Sequence, residues 1–230
     1  MQTETKTVCA VIVAAGSSSR MAAGDKLFLE IKGIPTLART LLAFENNQTV
    51  DAIVTVTRSE SAEKVKALVN EYSIDKLICV TEGGSTRAES VLCGLSKAKD
   101  YDIVLVHDGA RPLVSEALIN ETALAAAEYG AAIPAVSVKD TVKIAENGFV
   151  LSTPDRSTLF AVQTPQAFSR VLYEKAAEAF DGDFATLTDD SMLFEAAGYR
   201  VKLVEGEYTN LKITTDSDVA IAESYIEGEQ

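Results

Sequence analysis

An α/β fold with a mostly parallel sheet is what this 230-residue sequence predicts, and three observations predict it. Short, continuous apolar runs recur along the chain, helical patterns lie between them, and the runs end in glycine, small or charged residues. Strands of a parallel sheet are covered on both faces, so they read as unbroken apolar runs rather than as alternation. Regular exchange of strand and helix signals then sets the class.

The first run begins at Val8, breaks at Gly16 into Ser17-Ser18-Ser19-Arg20, and reads as a buried strand over 7–14 that feeds an open loop. Pro35 suits a first helical turn, where its missing N–H has no partner to lose, and residues 36–44 carry helical spacing. Further strands are expected at 52–57, 77–81, 103–107, 131–138 and 201–204. Ser59 is the expected cap of a helix over 62–71, and Ser85 of one reaching 98. Ser115 caps one over 116–129, which Gly130 stops. Between 139 and 167 the rhythm breaks, and Asn147-Gly148 between partly alternating residues signals a hairpin. A hairpin inserted into a parallel domain projects from it, so an arm is expected at about 139–160. Helices over about 169–180, 188–197 and 217–227 complete the chain. Residues 1–230 thus read as one domain with an arm.

Composition narrows the function classes. Apolar residues are 47% and charged residues 24% of the chain, as in an ordinary globular protein, and its length suffices to bury roughly 70% of the unfolded surface. No apolar run approaches the ~18 residues of a membrane span, and the first run is too short and polar-flanked for a signal peptide. The expected location is the cytoplasm. Cys9, Cys79 and Cys93 are far apart in apolar patterns and read as reduced core residues. His107, the single histidine, excludes multi-histidine metal sites and is expected to pack or to orient its loop. A net charge of −13 argues against nucleic acid and anionic membranes as partners. It also means that a phosphate-rich ligand must be held by locally clustered Arg and Lys, with a divalent cation.

Ligands of such sheets bind outside the carboxyl ends of the strands. The first strand delivers Gly16 and Lys26 to that rim, the third Glu82-Gly83-Gly84-Ser85-Thr86-Arg87, and the fourth His107-Asp108-Gly109-Ala110-Arg111. Arg20 and Lys26 put positive charge where a small-residue loop would hold phosphate oxygens. Neither G-x-G-x-x-G nor G-x-x-x-x-G-K-[ST] is present, so the loop is of another kind. Gly83-Gly84-Ser85 leads into a helix whose N-terminal amides can meet an anion or a base edge. Ser90, one turn inside, faces either the site or the core. Asp108 stands where it can ligate a hard cation such as Mg²⁺, which takes few carboxylates and keeps water and phosphate oxygens. A purely structural pair with Arg111 is the competing reading.

In order along the chain, Ala14-Ala15-Gly16-x-x-x-Arg20-Met21, Lys26, Glu82-Gly83-Gly84-x-x-Arg87-x-x-Ser90-Val91 and Val106-His107-Asp108-x-Ala110-Arg111-Pro112 form one pattern. Asp140-Thr141-Val142-Lys143, Asp155-Arg156, Gln163-Thr-Pro-Gln-Ala-Phe168, Thr188-Asp-Asp190 and Asn210-x-Lys212-Ile-Thr214 continue it. The whole resembles the cytidylyltransferases, and specifically the 2-C-methyl-D-erythritol 4-phosphate cytidylyltransferase family, from about Val8 to Asp218. It departs from that family at Ser18, Leu27 and Gly109, where glycine, glutamine and alanine are usual.

The resemblance implies a Rossmann-like sheet of the nucleotide-diphospho-sugar transferase type with a projecting β-hairpin arm, and a homodimer formed through that arm. It implies transfer of a cytidylyl group from CTP to methylerythritol phosphate with release of pyrophosphate, and Mg²⁺ held by Asp108. Ala14, Ala15, Gly84, Ser85 and Ser90 would line the cytosine and ribose pocket, with Gly16 beside them in the nucleotide loop. Arg20 and Lys26 would hold the triphosphate, with Lys26 and Lys212 flanking the α-phosphate. Arg111, Thr141 and Lys212 would meet the acceptor or the transferring phosphate, and Arg156 would reach the neighbouring subunit's site. Ribitol 5-phosphate is the rival acceptor, and a non-catalytic CTP-binding module the rival class. Ala14-Ala15-Gly16, Ala110 and Asp155-Arg156-Ser157 favour methylerythritol phosphate.

Overall fold

β1 (Val8–Ala14) lies inside the sheet, paired in parallel with β4 (Ala52–Thr57) on one side and with β6 (Ile103–Asp108) on the other. The computed structural model describes residues 6–16 and 25–228. Two short strands, β2 (Glu30–Ile31) and β3 (Ile34–Pro35), make a small separate ribbon before α1 (Thr36–Glu45). After β4 a single 3₁₀ turn leads into α2 (Ala62–Glu71), and then come β5 (Leu77–Glu82) and α3 (Arg87–Leu95). β6 is followed by α4 (Glu116–Tyr129) and β7 (Ala131–Ser137). The arm carries β8 (Ile144–Glu146) and β9 (Phe149–Ser152). β10 (Phe160–Val162), β11 (Gln166–Ser169), α5 (Arg170–Ala179), α6 (Ser191–Ala196), β12 (Lys202–Glu205) and α7 (Asp216–Gly228) follow.

The central sheet runs β10-β7-β11-β6-β1-β4-β5, with β12 pairing in parallel with β7. β10 and β11 run antiparallel to their neighbours, so the sheet is mixed but mostly parallel. Alternate residues of β1 serve opposite faces, as the two-residue period of a strand requires. Ala10 and Ile12 pack with Leu41 and Phe44 of α1 and Leu118 of α4, whereas Cys9 and Val11 pack with Val91 of α3 and with Tyr173 and Phe194. The result is three layers, helix on sheet on helix, which holds the strand ends rigidly. Leu41 is fully buried, and its truncation to Ala would cost about 2–5 kcal/mol.

Strand positions agree with the apolar runs, while two predicted caps move. α3 is capped by Thr86, not Ser85: Thr86 Oγ1 accepts from Glu89 N–H at 3.1 Å while the Glu89 carboxylate accepts from Thr86 N–H at 3.0 Å. That reciprocal arrangement satisfies two helix-end donors, which a cap one residue earlier could not do. Ser59 lies in the 3₁₀ turn and donates to Glu82, leaving α2 without a side-chain cap. Ser115 caps α4 as expected, and Gly130, at φ 89°, ends it.

The sequence pattern predicts neither β10 nor β11. β11 is four residues with one large apolar side chain, Phe168, and it fills the place between β6 and β7 in antiparallel sense. The arm's turn is as read: Asn147 and Gly148 both adopt positive φ, 50° and 84°, as a two-residue hairpin turn demands. Among the described residues no helix is long and apolar enough to cross a membrane.

Candidate active site

The carboxyl ends of β1 and β6 and the loop after β5 open onto one cavity of about 420 Å³. β1 contributes Ala14 and then Ala15 and Gly16, with Lys26 beyond the loop. The loop after β5 and the start of α3 contribute Gly84, Ser85 and Ser90, and Asp108 and Lys212 close the wall. These nine predicted residues are therefore brought together. Arg20 lies outside the described residues, as does Ser18.

The wall beside α3 is set by close backbone approach. A Cβ on Gly83 would fall 2.6 Å from Ser90 Oγ and 2.7 Å from Ala15 Cβ, so only glycine lets this turn close against β1. Ser90 answers the open question of its direction: it is buried, bonds back to Thr86 O at 2.9 Å, and still lines the cavity. The Ser85 hydroxyl donates to the Glu89 carboxylate; this bond, with those from Thr86, holds Glu89 below the usual carboxylate range. Leu27, where the family usually has glutamine, is buried and contributes an apolar edge.

Asp108 is the electrostatic centre. Its Oδ2 lies 2.8 Å from Lys212 Nζ and 3.8 Å from Arg111 Nε, and its Oδ1 lies 3.7 Å from Arg87 Nε. Burial alone would raise its pKa, but the Lys212, Arg87 and Arg111 charges outweigh that and hold it well below the carboxylate range. The structural reading, in which Asp108 pairs only with Arg111, is too narrow, because three cations converge.

Lys212 reaches the site from the segment after β12. Ile213 N–H bonds Ala110 O at 2.8 Å, and Asn210, buried, bonds Thr164 O through its amide at 2.9 Å. Arg111 Nη1 donates to Asn210 O at 2.7 Å, tying the two loops together. His107 is fully buried against Phe44 at a ring separation of 4.9 Å. Its Nε2 lies 3.1 Å from Arg111 O, and its Nδ1 lies 3.1 Å from Thr164 Oγ1. Both ring nitrogens are occupied in supporting the loop, which is the packing role expected of it.

A second cavity of about 350 Å³ adjoins the first and shares Arg87, Asp108 and Lys212 with it. Arg111 opens into this second space, beside Thr164, Gln166 and Thr188. Thr141 and Arg156 line neither cavity. Thr141 is exposed on the arm, and Arg156 donates to Lys139 O at 2.7 Å in a separate hollow at the arm's base with Asp155 and Tyr208.

The sequence assigns no role to four participants. Partly buried Arg87 pairs with buried Asp190 at 2.7 Å, and Arg58, just past β4, pairs with Asp25 next to Lys26. Arg87 did carry a signal: a cation in the first turn of a helix opposes the helix dipole, so it points to a specific carboxylate partner.

Among the described residues no three His, Cys, Asp or Glu side chains cluster as a metal cage. Asp108 is the one carboxylate among the described residues that lines the first cavity, and Asp189 joins it in the second; this fits Mg²⁺, which is bound through one or two carboxylates plus substrate phosphates.

A Rossmann-like sheet whose strand ends gather a glycine turn, lysines and one buried carboxylate around a double cavity defines a nucleotidyltransferase. The sequence profile of 2-C-methyl-D-erythritol 4-phosphate cytidylyltransferase matches residues 8–228, and the chain belongs to that family. The enzyme of that name from Geobacillus kaustophilus is 44% identical over 218 residues, covering 94% of this chain and 96% of its own. The one from Clostridium novyi is 43% identical over 222 residues, covering 95% and 96%. Among solved structures, 4-diphosphocytidyl-2C-methyl-D-erythritol synthase from Anaerococcus prevotii superposes with a TM-score of 0.85 at 34% identity, covering 97% of each chain. The cytidylyltransferase from Thermus thermophilus gives 0.77 at 34% identity, covering 96% and 99%.

Proposed function

We propose that this enzyme transfers the cytidylyl group of CTP to the phosphate of 2-C-methyl-D-erythritol 4-phosphate, in the synthesis of isoprenoid precursors. The products are 4-diphosphocytidyl-2-C-methyl-D-erythritol and pyrophosphate. Family membership supports the chemistry. The observation that carries it is the wall shared by the two cavities: Arg87, Asp108 and Lys212 stand between a space fitted to a nucleotide and a space fitted to a second anion.

An acceptor phosphate oxygen attacks the α-phosphorus in line, and the bond to the bridging oxygen breaks with its electron pair leaving on pyrophosphate. A phosphate monoester with a second pKa of about 6 is already ionised at neutral pH, so no general base is needed. His107, buried and engaged through both ring nitrogens with Arg111 O and Thr164 Oγ1, has no such task. The barrier is the approach of two anions, and catalysis is positioning plus electrostatic stabilisation. Lys26 and Lys212 flank the α-phosphate in this reading, and Arg20 takes the leaving pyrophosphate. Ala14, Ala15, Gly16, Gly84, Ser85 and Ser90 hold cytosine and ribose through backbone and hydroxyl groups. Arg111 meets the acceptor phosphate. Asp108 would hold Mg²⁺, whose chemistry when bound is to offset triphosphate charge.

The arm exposes Phe149 at 77% and Val150 and Leu151 above 60%, an apolar strip that a second copy of the chain would cover. In the resulting homodimer, Thr141 and Arg156 would serve the neighbouring subunit's acceptor site. Residues 1–230 form a single nucleotidyltransferase domain in this reading, working in the cytoplasm, where three free cysteines are at home.

The test is pyrophosphate release with each of the four nucleoside triphosphates, and with methylerythritol phosphate, ribitol 5-phosphate or no acceptor. Release is expected only with CTP and methylerythritol phosphate together. Release with ribitol 5-phosphate alone would move the assignment to the sister activity, and CTP binding without turnover would leave a binding module.

A further inference from the structure

Of the three cations around Asp108, two have phosphates to bind. Lys212 and Arg111 both face Oδ2, and in the cytidylyl-transfer reading the Lys212 ammonium and the Arg111 Nε turn from it toward phosphate, while Arg111 keeps its Nη1 bond to Asn210 O at 2.7 Å. Arg87 faces the other oxygen, Oδ1, and it is tethered. Its Nη1 donates to Asp190 Oδ2 at 2.7 Å. Asp190 is buried, its Oδ1 accepts from the Tyr173 hydroxyl at 2.7 Å, and its N–H donates to Gln166 Oε1 at 3.1 Å. Tyr173 is in turn fully buried, edge-on to Phe168 and Phe194 at ring separations of 5.4 and 5.9 Å.

We propose that Arg87 is a positioning residue: anchored through Asp190 and Tyr173 in the core, it holds Asp108 in place while Lys212 and Arg111 transfer to the reacting phosphates. This rests on the cytidylyl-transfer reading above. Such a task needs a cation that touches two carboxylates at once and cannot swing away. The planar guanidinium fork spans Asp190 and Asp108 from fixed positions, whereas an ammonium reaches one or the other. Its location at the first residue of α3, where the helix dipole disfavours a cation, is explained by this double pairing. Without Arg87, Asp108 would follow Lys212 or rotate freely, and the shared wall between the two cavities would lose its fixed charge.

Arg87→Lys keeps a positive charge beside buried Asp190, so the fold should survive, which a melting curve checks. A misplacement of about 1 Å near the reacting atoms can cost roughly 10²-fold, so kcat is expected to fall about tenfold or more while KM for CTP stays within about threefold. The decisive measurement is a double-mutant cycle with Asp108→Asn. If Arg87 acts through Asp108, Arg87→Lys on that background should lower kcat by less than about twofold. Should Arg87→Lys melt too low to assay, Tyr173→Phe loosens Asp190 without touching a charge and carries the same cycle, with a smaller loss confined to the Asp108 background. Equal losses in both backgrounds, or a kcat within about twofold of wild type, would overturn the positioning role alone. A wild-type enzyme without CTP turnover would overturn the parent reading as well.

Discussion

Lys212 Nζ stands 2.8 Å from Asp108 Oδ2, bridging the segment after β12 to the end of β6. The Asp108 side chain is only 12% exposed and that of Lys212 39%, so the pair straddles the boundary between core and cavity. The lysine end is therefore free to exchange one anion for another, while the carboxylate end is fixed. Replacing Lys212 by Ala should lower kcat by about 10²–10³, the usual loss for one preorganised donor at a developing charge. Initial rates of pyrophosphate release measure it, and an unchanged kcat would remove Lys212 from the reaction.

Asp108→Asn leaves three cations facing a neutral amide. CTP should still bind, because local positive charge increases. The Mg²⁺ concentration for half-maximal rate should rise about tenfold or more, since a hard cation loses its anionic protein ligand. A wild-type Mg²⁺ titration for the variant would exclude Asp108 as that ligand.

Arg58 reaches from the end of β4 to Asp25, immediately before Lys26, and also lies 3.4 Å from Glu60. Both partners of the Arg58–Asp25 pair are partly exposed, so the pair is worth about 0.2–1 kcal/mol. Its loss should act on the seating of Lys26 rather than on chemistry. Arg58→Gln is expected to raise KM for CTP by about two- to fivefold with kcat within twofold, read from rates at varied CTP.

The strands of the parallel core are covered on both faces, and their unbroken apolar runs announced β1, β4, β6 and β7. β11 hid because four residues with one large apolar side chain carry no period, and only the vacancy between β6 and β7 gives them a strand's place. At the site, Gly84, Ser85 and Asp108 follow strands directly, so their arrival at one rim could be read from the topology. Lys212 came only through family resemblance, since its approach depends on the Ile213–Ala110 pairing of segments far apart in the chain. The Arg87–Asp190–Tyr173 chain joins α3, the residue before α6, and α5; the position of Arg87 in a first helical turn signals a carboxylate partner, but no local pattern says which one.

The arm makes its own prediction. Phe149, Val150 and Leu151 stand exposed on β9, and a charge there should prevent a second copy from covering the strip. Phe149→Asp is expected to leave melting of the sheet domain unchanged and to shift the sedimenting species from dimer to monomer. With the partner's Arg156 withdrawn, KM for methylerythritol phosphate should rise more than KM for CTP. A wild-type chain that sediments as a monomer at assay concentration would end the idea.

His107 sets an acid limit on the fold. The Arg111 carbonyl can only accept, so His107 Nε2 carries the proton, and Nδ1 accepts from the Thr164 hydroxyl. Thr164 Oγ1 itself accepts from Asp108 N–H at 3.1 Å, which links the neutral imidazole to the position of Asp108. Burial pushes the His107 pKa down from 6.5 to about 4. The unfolded chain therefore binds the extra proton first, and between these two values it binds more protons than the folded one. Stability is unaffected above about pH 6.5 and falls as the pH drops toward 4, by about 2 kcal/mol at pH 5. His107→Gln removes the titrating group at the expense of the Phe44 contact, so it should be less stable than wild type at pH 7.5. That gap should narrow by about 2 kcal/mol at pH 5, in urea unfolding at each pH. A gap that stays constant from pH 7.5 to 5 would mean that His107 is accommodated equally well in its charged form, and that the loop holding Asp108 does not depend on a neutral ring.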